Sequence, residues 1–261
     1  MTMTATAQKT KMFYHAQVEQ ALQDCQEAGY QPLFMPQLAD ARINGTAPWN
    51  QWFSTPSIRA TGKTKQGTAV VVYAHIPNFL SNPNNIKEAK EQGLVNYAAR
   101  LSQDEFQRLV DAEDKQNVWV VDHADLKKAV SGRIKITDAI KHPQVIPFLG
   151  GQERAERYLP AQAQAYNTKT IGVWHSNDIN DESPLARLLY LGYCGYGGLG
   201  GDDSLSDVGQ FLGVRDASAE GAVQKIVVTP TLDQILRVSQ RFVAGASRKE
   251  YEDAMRKLYK Q

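Results

Sequence analysis

Apolar and polar positions along this chain follow two periods, and the switches between them mark the expected elements. From His15 to Ala28, the residues Val18, Ala21, Leu22 and Cys25 fall on one stripe at helical spacing, and Gly29 follows as a C′ residue. The pattern predicts a helix with Cys25 turned to the core. Residues 32–67 show no sustained period and carry Pro32, Pro36, Pro48 and Pro56, so this stretch is predicted to be irregular. Thr68–His75 is a short β-branched run between Gly67 and Pro77, the pattern of a buried strand. Ser57–Thr61 is placed to pair with it as a hairpin through Gly62–Gly67.

Three further strands are predicted at Asn117–Val121, Thr170–Trp174 and Gln224–Val228. Other helices are read from their start chemistry. Ser102-Gln-Asp-Glu105 has the spacing of a capping box, with Phe106, Leu109 and Val110 on one side beyond it. Ser183 followed by Pro184 reads as an N-cap with proline at N1, which predicts a helix over Leu185–Leu191 stopped by Gly192. Thr229-Pro230 and Ser247–Glu250 open a C-terminal helix pair. Strands alternating with helices give an α/β class, a small mixed β-sheet covered by helices, and the hairpin keeps α+β as the alternative. Residues 1–12 are expected to be a disordered tail, and 13–261 a single globular α/β domain.

Composition narrows the function classes. The formal charge of +1 gives no global attraction to nucleic acid or anionic membrane. Two cysteines, Cys25 and Cys194, are too few for a disulfide scaffold or a cysteine-only zinc site and fit a reducing compartment. Met1–Lys11 has no apolar signal-peptide region, and no stretch approaches the roughly 18 apolar residues of a membrane span. A cytoplasmic protein without a membrane partner is expected.

Two motifs are set aside on context. Gly195-Tyr-Gly197-Gly-Leu-Gly200 has dinucleotide-loop spacing, yet it follows an expected helix and precedes Asp202-Asp203, so it is read as a mobile or tightly turned loop. No nicotinamide or flavin site is supported. Gly62-Lys63-Thr64 resembles the end of a phosphate-binding loop, but Ser57 stands where the first glycine would be and no helix follows.

The sharpest chemical signal is a set of polar residues ending apolar runs: His75, His123 and His175, with Asp122 and Asp125 flanking His123 and Asp178 after His175. If the strands are parallel neighbours, their carboxyl ends converge on one cleft. Imidazole and carboxylate there would suit a hydrolase, with Asp122, His123, His175 and Asp178 holding a divalent metal or activating water, and His75 orienting the substrate. Arg59 and Lys63 are the candidates for an anionic substrate group. A competing reading takes Trp49, Trp52, Arg59, Lys63 and Lys65 as a stacking and phosphate-contacting segment of a non-catalytic module for single-stranded nucleic acid or a nucleotide, although the near-neutral charge disfavours a nucleic-acid partner. A third is a structural or assembly protein without a small-molecule site. Substrate, metal identity and oligomeric state leave no mark in the sequence.

Overall fold

A computed structural model describes residues 8–126, 131–176, 179–192, 198–202 and 204–216, with 249, 251, 253 and 256 beyond them. In chain order the elements are β1 (Gln8–His15), α1 (Val18–Glu27), β2 (Gln31–Pro32), α2 (Met35–Ile43), β3 (Phe53–Lys63) and β4 (Ala69–Ala74). A 3₁₀ turn at Phe79–Ser81 leads to α3 (Pro83–Glu91), β5 (Ala99–Arg100), α4 (Gln103–Asp111), β6 (Val118–Asp122), α5 (His123–Leu126), β7 (Gly132–Lys135) and α6 (Ile136–Ala139). Then come α7 (Val145–Leu149), α8 (Gln152–Tyr166), β8 (Thr170–His175), β9 (Leu185–Leu191), β10 (Gly198–Gly201) and β11 (Gly209–Asp216). The larger sheet runs β6-β4-β3-β9-β10-β8-β7, with β5 paired to β9; only β10 and β8 are parallel. A smaller antiparallel sheet has the order β1-β11-β2.

The mixed sheet with helical cover is as expected, in its α+β form. β3 and β4 make the anticipated hairpin, paired from Ile58↔Ala74 to Lys63↔Ala69. The sheet also curls. Arg59 on β3 lies three strands from β8, roughly 14 Å across a flat sheet at normal spacing, yet its guanidinium reaches the carbonyl of Ser176 just past β8.

Helices cover both faces of the central strands. On β4, Val71 and Tyr73 join a cluster with Leu38, Phe148 and Leu159 of α2, α7 and α8. Val70, Val72 and Ala74 alternate to the other face, against Leu22, Ile86 and Phe106 of α1, α3 and α4. β9 divides in the same way, Leu189 and Leu191 to one cluster and Ala186 and Leu188 to the other. This explains why Leu185–Leu191, predicted to be a helix, is a strand. A strand apolar on both faces shows no period of two, and the Ser183-Pro184 signal then misleads.

Two other expectations change. Residues 8–12, expected in a disordered tail, form the first part of β1, which pairs with β11 over eight residues from Gln8↔Asp216 to His15↔Gly209. Only Phe13 of β1 is buried among Lys9–His15, so the strand lacks an apolar face strong enough to announce it. Gly198–Gly200, expected in a loop, belong to β10. A Cβ on Gly198 would collide with the backbone of Gly172 on β8, and one on Gly200 with the ring of Tyr190 on β9. Glycine lets this strand lie that close to both neighbours.

The chain divides into two units, residues 1–223 and 224–261. In the second, residues 249, 251, 253 and 256 are helical, within the last predicted helix; the strand at Gln224–Val228 and the helix opening at Thr229 lie outside the described residues. Among the described residues no helix is long and apolar enough to cross a membrane.

Candidate functional site

Two arginines stand where the strand pattern would place apolar residues. The pairing of β3 with β9 sets Arg59 directly opposite Arg187, and both are buried, at 3% and 9% exposure. A buried guanidinium must have its donors satisfied, and here the fold does so largely with its backbone. Arg59 donates from Nε to the hydroxyl of Tyr73 at 3.1 Å and from Nη1 to the carbonyl of Ser176. Tyr73 in turn donates to Oε1 of Gln144. Burial pushes the Tyr73 phenol above its ordinary value against the opposing pull of Arg59, so it stays a donor. Arg187 donates from Nη2 to the carbonyl of Asn96. Gly201 makes room for Arg59, since a Cβ there would lie 2.9 Å from the arginine Cδ.

Arg59, Thr61, Ser176, Leu185 and Arg187 line a small pocket at this point. Asp202, at the end of β10, lies within electrostatic reach of both arginines. Desolvation raises its carboxyl above the usual range, while its own backbone N–H, Arg187 and Arg59 pull the other way. The surrounding loops are tied to the same frame: the Leu205 N–H donates to the Tyr97 carbonyl at 3.1 Å, one residue from the carbonyl that holds Arg187. Asn96, Tyr97, Ser176, Asp202 and Leu205 are therefore gathered around the two arginines.

The three histidines do not share a cleft. β4 and β6 are antiparallel, with Ala74 opposite Val118 and Val70 opposite Asp122. His75 and the Asp122–His123 pair thus sit at opposite ends of neighbouring strands, roughly 17 Å apart along the strand direction. His75 is buried: its Nδ1 meets Ser57 Oγ at 3.0 Å and its Nε2 the Pro147 carbonyl at 2.8 Å. Asp122 accepts the Ala124 N–H at 2.7 Å, holding the start of α5, and His123 beside it is buried. His175 lies next to Ser176, and hence near Arg59, with the ring of His142 at 6.3 Å. Asp178 lies outside the described residues. Among the described residues no group of three or more His, Cys, Asp or Glu could hold a metal ion.

The aromatic and cationic segment is also dispersed. Trp49 packs on the core, its ring 5.3 Å from Tyr158, 5.8 Å from Tyr166 and 5.4 Å from the guanidinium of Arg42. The Trp52 carbonyl accepts from Gln210 at 3.0 Å. Lys63 pairs with Asp181 at 2.6 Å and Lys65 with Asp104 at 2.9 Å, both at the surface. Among the described residues singled out by sequence, Arg59 and His175 are brought near one another through Ser176. Arg187, Tyr73 and Gln144 were missed, although a cation inside the apolar run Leu-Ala-Arg-Leu-Leu-Tyr-Leu was a legible sign of a buried, specifically held charge.

Scans of protein-family models and of curated proteins give no match. The curled, mixed sheet with its small companion sheet and flanking helices is the C-type lectin fold, and the chain belongs to that family. A solved structure described as "Accommodation of massive sequence variation in Nanoarchaeota by the C-type lectin fold" is 46% identical and superposes with a TM-score of 0.74, over 80% of this chain and 98% of that chain. This membership corrects the hydrolase expectation, as does the lack of a metal-holding group among the described residues. Strand-end convergence presupposed parallel strands, and the pairing is antiparallel. The nucleic-acid reading loses its stacking pair, because Trp49 packs on the core.

Proposed function

We propose that this protein is a non-enzymatic recognition protein, in which the C-type lectin fold is a rigid frame beneath an exposed surface whose side chains can change. The likeness to a structure described as accommodating massive sequence variation carries this reading. The construction of the frame supports it. Arg59 and Arg187 each reach a main-chain carbonyl outside the strands, at Ser176 and Asn96 respectively. A bond to a carbonyl holds a loop whatever side chain the accepting residue carries. The frame therefore constrains loop paths without constraining loop identity, and loops so positioned are where binding residues gather. Its partner is macromolecular, and a cytoplasmic location fits the free, buried Cys25.

The test compares surface with frame. Substituting Tyr97, Asp181, Glu182, Asp207 and Val208, all exposed, singly to Ala and to a bulky residue, is expected to shift unfolding free energy by no more than about 0.5 kcal/mol each. Gly198→Ala, which forces a side chain onto the Gly172 backbone, is expected to cost about 3 kcal/mol. A display library varied at those surface positions should yield folded members that bind different protein targets. Surface variants that unfold as readily as Gly198→Ala, or a folded library without binders, would sink the reading.

A further inference from the structure

We infer that Tyr97 is an anchor of the recognition surface, a tyrosine carried at the tip of a fixed turn for insertion into an apolar pocket on a partner protein. This rests on the recognition reading and names the chemistry of one contact with the partner.

The backbone comes first. Val95 and Ala98 form an isolated bridge and exchange both main-chain hydrogen bonds, at 3.0 and 2.9 Å. The two residues between them, Asn96 and Tyr97, both lie at positive φ, 47° and 66°. This is a two-residue hairpin loop with the hand of a type I′ turn, in which glycine is the favoured second residue. Asparagine tolerates the left-handed region through its short polar side chain, whereas a tyrosine Cβ crowds the following carbonyl. Tyr97 therefore holds its place against the preference of the backbone.

Burial does not offset that cost. Among the described residues four large hydrophobic side chains are exposed, and Tyr97 is the most exposed of them, at 65%. A bulky residue kept in a strained conformation, with its ring in solvent, points to a role at the surface.

The main chain beneath the ring is pinned on both sides. The Asn96 carbonyl accepts from Nη2 of Arg187 on β9, and the Tyr97 carbonyl accepts the N–H of the buried Leu205 at 3.1 Å. The turn thus has its shape before a partner arrives. Tyrosine has only two side-chain torsions to order, so little freedom is lost on binding. Its ring supplies roughly 150–250 Å² of contact, and its hydroxyl stays available for a hydrogen bond at the far end.

Charge selects the class of partner. Asp202 and Asp207, both exposed, stand on either side of Leu205 in the segment bonded to the turn. Carboxylates there repel phosphate, which disfavours a lipid headgroup or a nucleic-acid backbone and favours a pocket on a protein.

The experiment compares two display libraries of the full chain. Both are varied at the exposed positions Asp181, Glu182, Asp207 and Val208; one keeps Tyr97 and the other carries Tyr97→Gly. The probes are lysozyme, ubiquitin and serum albumin, with phosphatidylglycerol vesicles as the lipid control. The library that keeps Tyr97 is expected to yield binders to more of the proteins. Tyr97→Gly introduced into each binder should weaken its Kd by about tenfold or more, the scale of an interface hot spot, and Tyr97→Phe should lose less. In the unselected chain Tyr97→Gly should raise the urea midpoint by about 0.3 M, because glycine takes positive φ freely. Equal yields from the two libraries, a loss smaller than about tenfold, a midpoint that does not rise, or vesicle binding that requires Tyr97 would overturn the proposal. Equal yields would leave the recognition reading standing, whereas folded libraries without any binder would sink both.

Discussion

His75 shows how a residue with the credentials of a catalytic base becomes part of the scaffold. Pro147 offers only a carbonyl, so Nε2 carries the proton, and Nδ1 is left to accept from the Ser57 hydroxyl, which itself accepts the Met35 N–H at 2.8 Å. The neutral ring thus ties together β3, the end of β4, α2 and α7. Burial, the largest influence, lowers its pKa from 6.5 to about 4. The unfolded chain takes up the proton first as pH falls, so the contribution is complete above about pH 6.5 and is lost progressively toward pH 4. The full span corresponds to about 3 kcal/mol as an upper bound. His75→Gln, which keeps a donor for Pro147, should be less stable at pH 7.5 and should flatten the fall in stability between pH 7 and 4.5. Urea midpoints at several pH values read this out, and an unchanged slope in the variant would assign the pH dependence elsewhere. Cys25 is the parallel case: full burial drives its thiol up to about 12, so the core role expected from its helical stripe leaves it chemically inert.

Among the elements, what could be seen in advance depended on how many faces meet solvent. α1 and α4 each bury one side, so their stripes were visible, and Ser102 caps α4 by accepting the Glu105 N–H at 3.1 Å. The reciprocal half of that capping box is absent, because Glu105 turns to Arg108. The β3–β4 hairpin announced itself through a β-branched run and its glycine-bounded turn. β9 did not, since apolar residues on both faces erase the period, and β10 was hidden because its defining trait is missing side chains. The site was harder still. Arg59 was legible as a cation of interest, but its partner Arg187 depended on a register that joins segments more than a hundred positions apart. β1 supplies an experiment at this scale. Phe13 sits edge-on to Tyr30 at 5.3 Å, so Phe13→Ala is expected to cost about 3 kcal/mol by chemical denaturation. An unchanged midpoint would show that the Phe13–Tyr30 contact does not hold β1 in place.

At the scale of the whole molecule, the hydrophobic clusters among the described residues run from Phe13 to Leu212, inside the compact unit of residues 1–223. A chain ending at Val223 is therefore expected to fold alone and to melt within a few degrees of the full protein, with a dispersed NMR spectrum. A collapsed, poorly dispersed product would assign residues 224–261 an essential part in folding. The pairing of β1 with β11 has one further consequence, for synthesis. The strand made first must wait for the strand that closes this unit, roughly two hundred residues later, which at about 5–20 residues per second means some 10–40 seconds. Until then its backbone donors and acceptors are an open edge. Charged and polar side chains discourage edge-to-edge pairing, and Lys9, Thr10 and Lys11, exposed in the finished fold, put such residues along that edge while it waits.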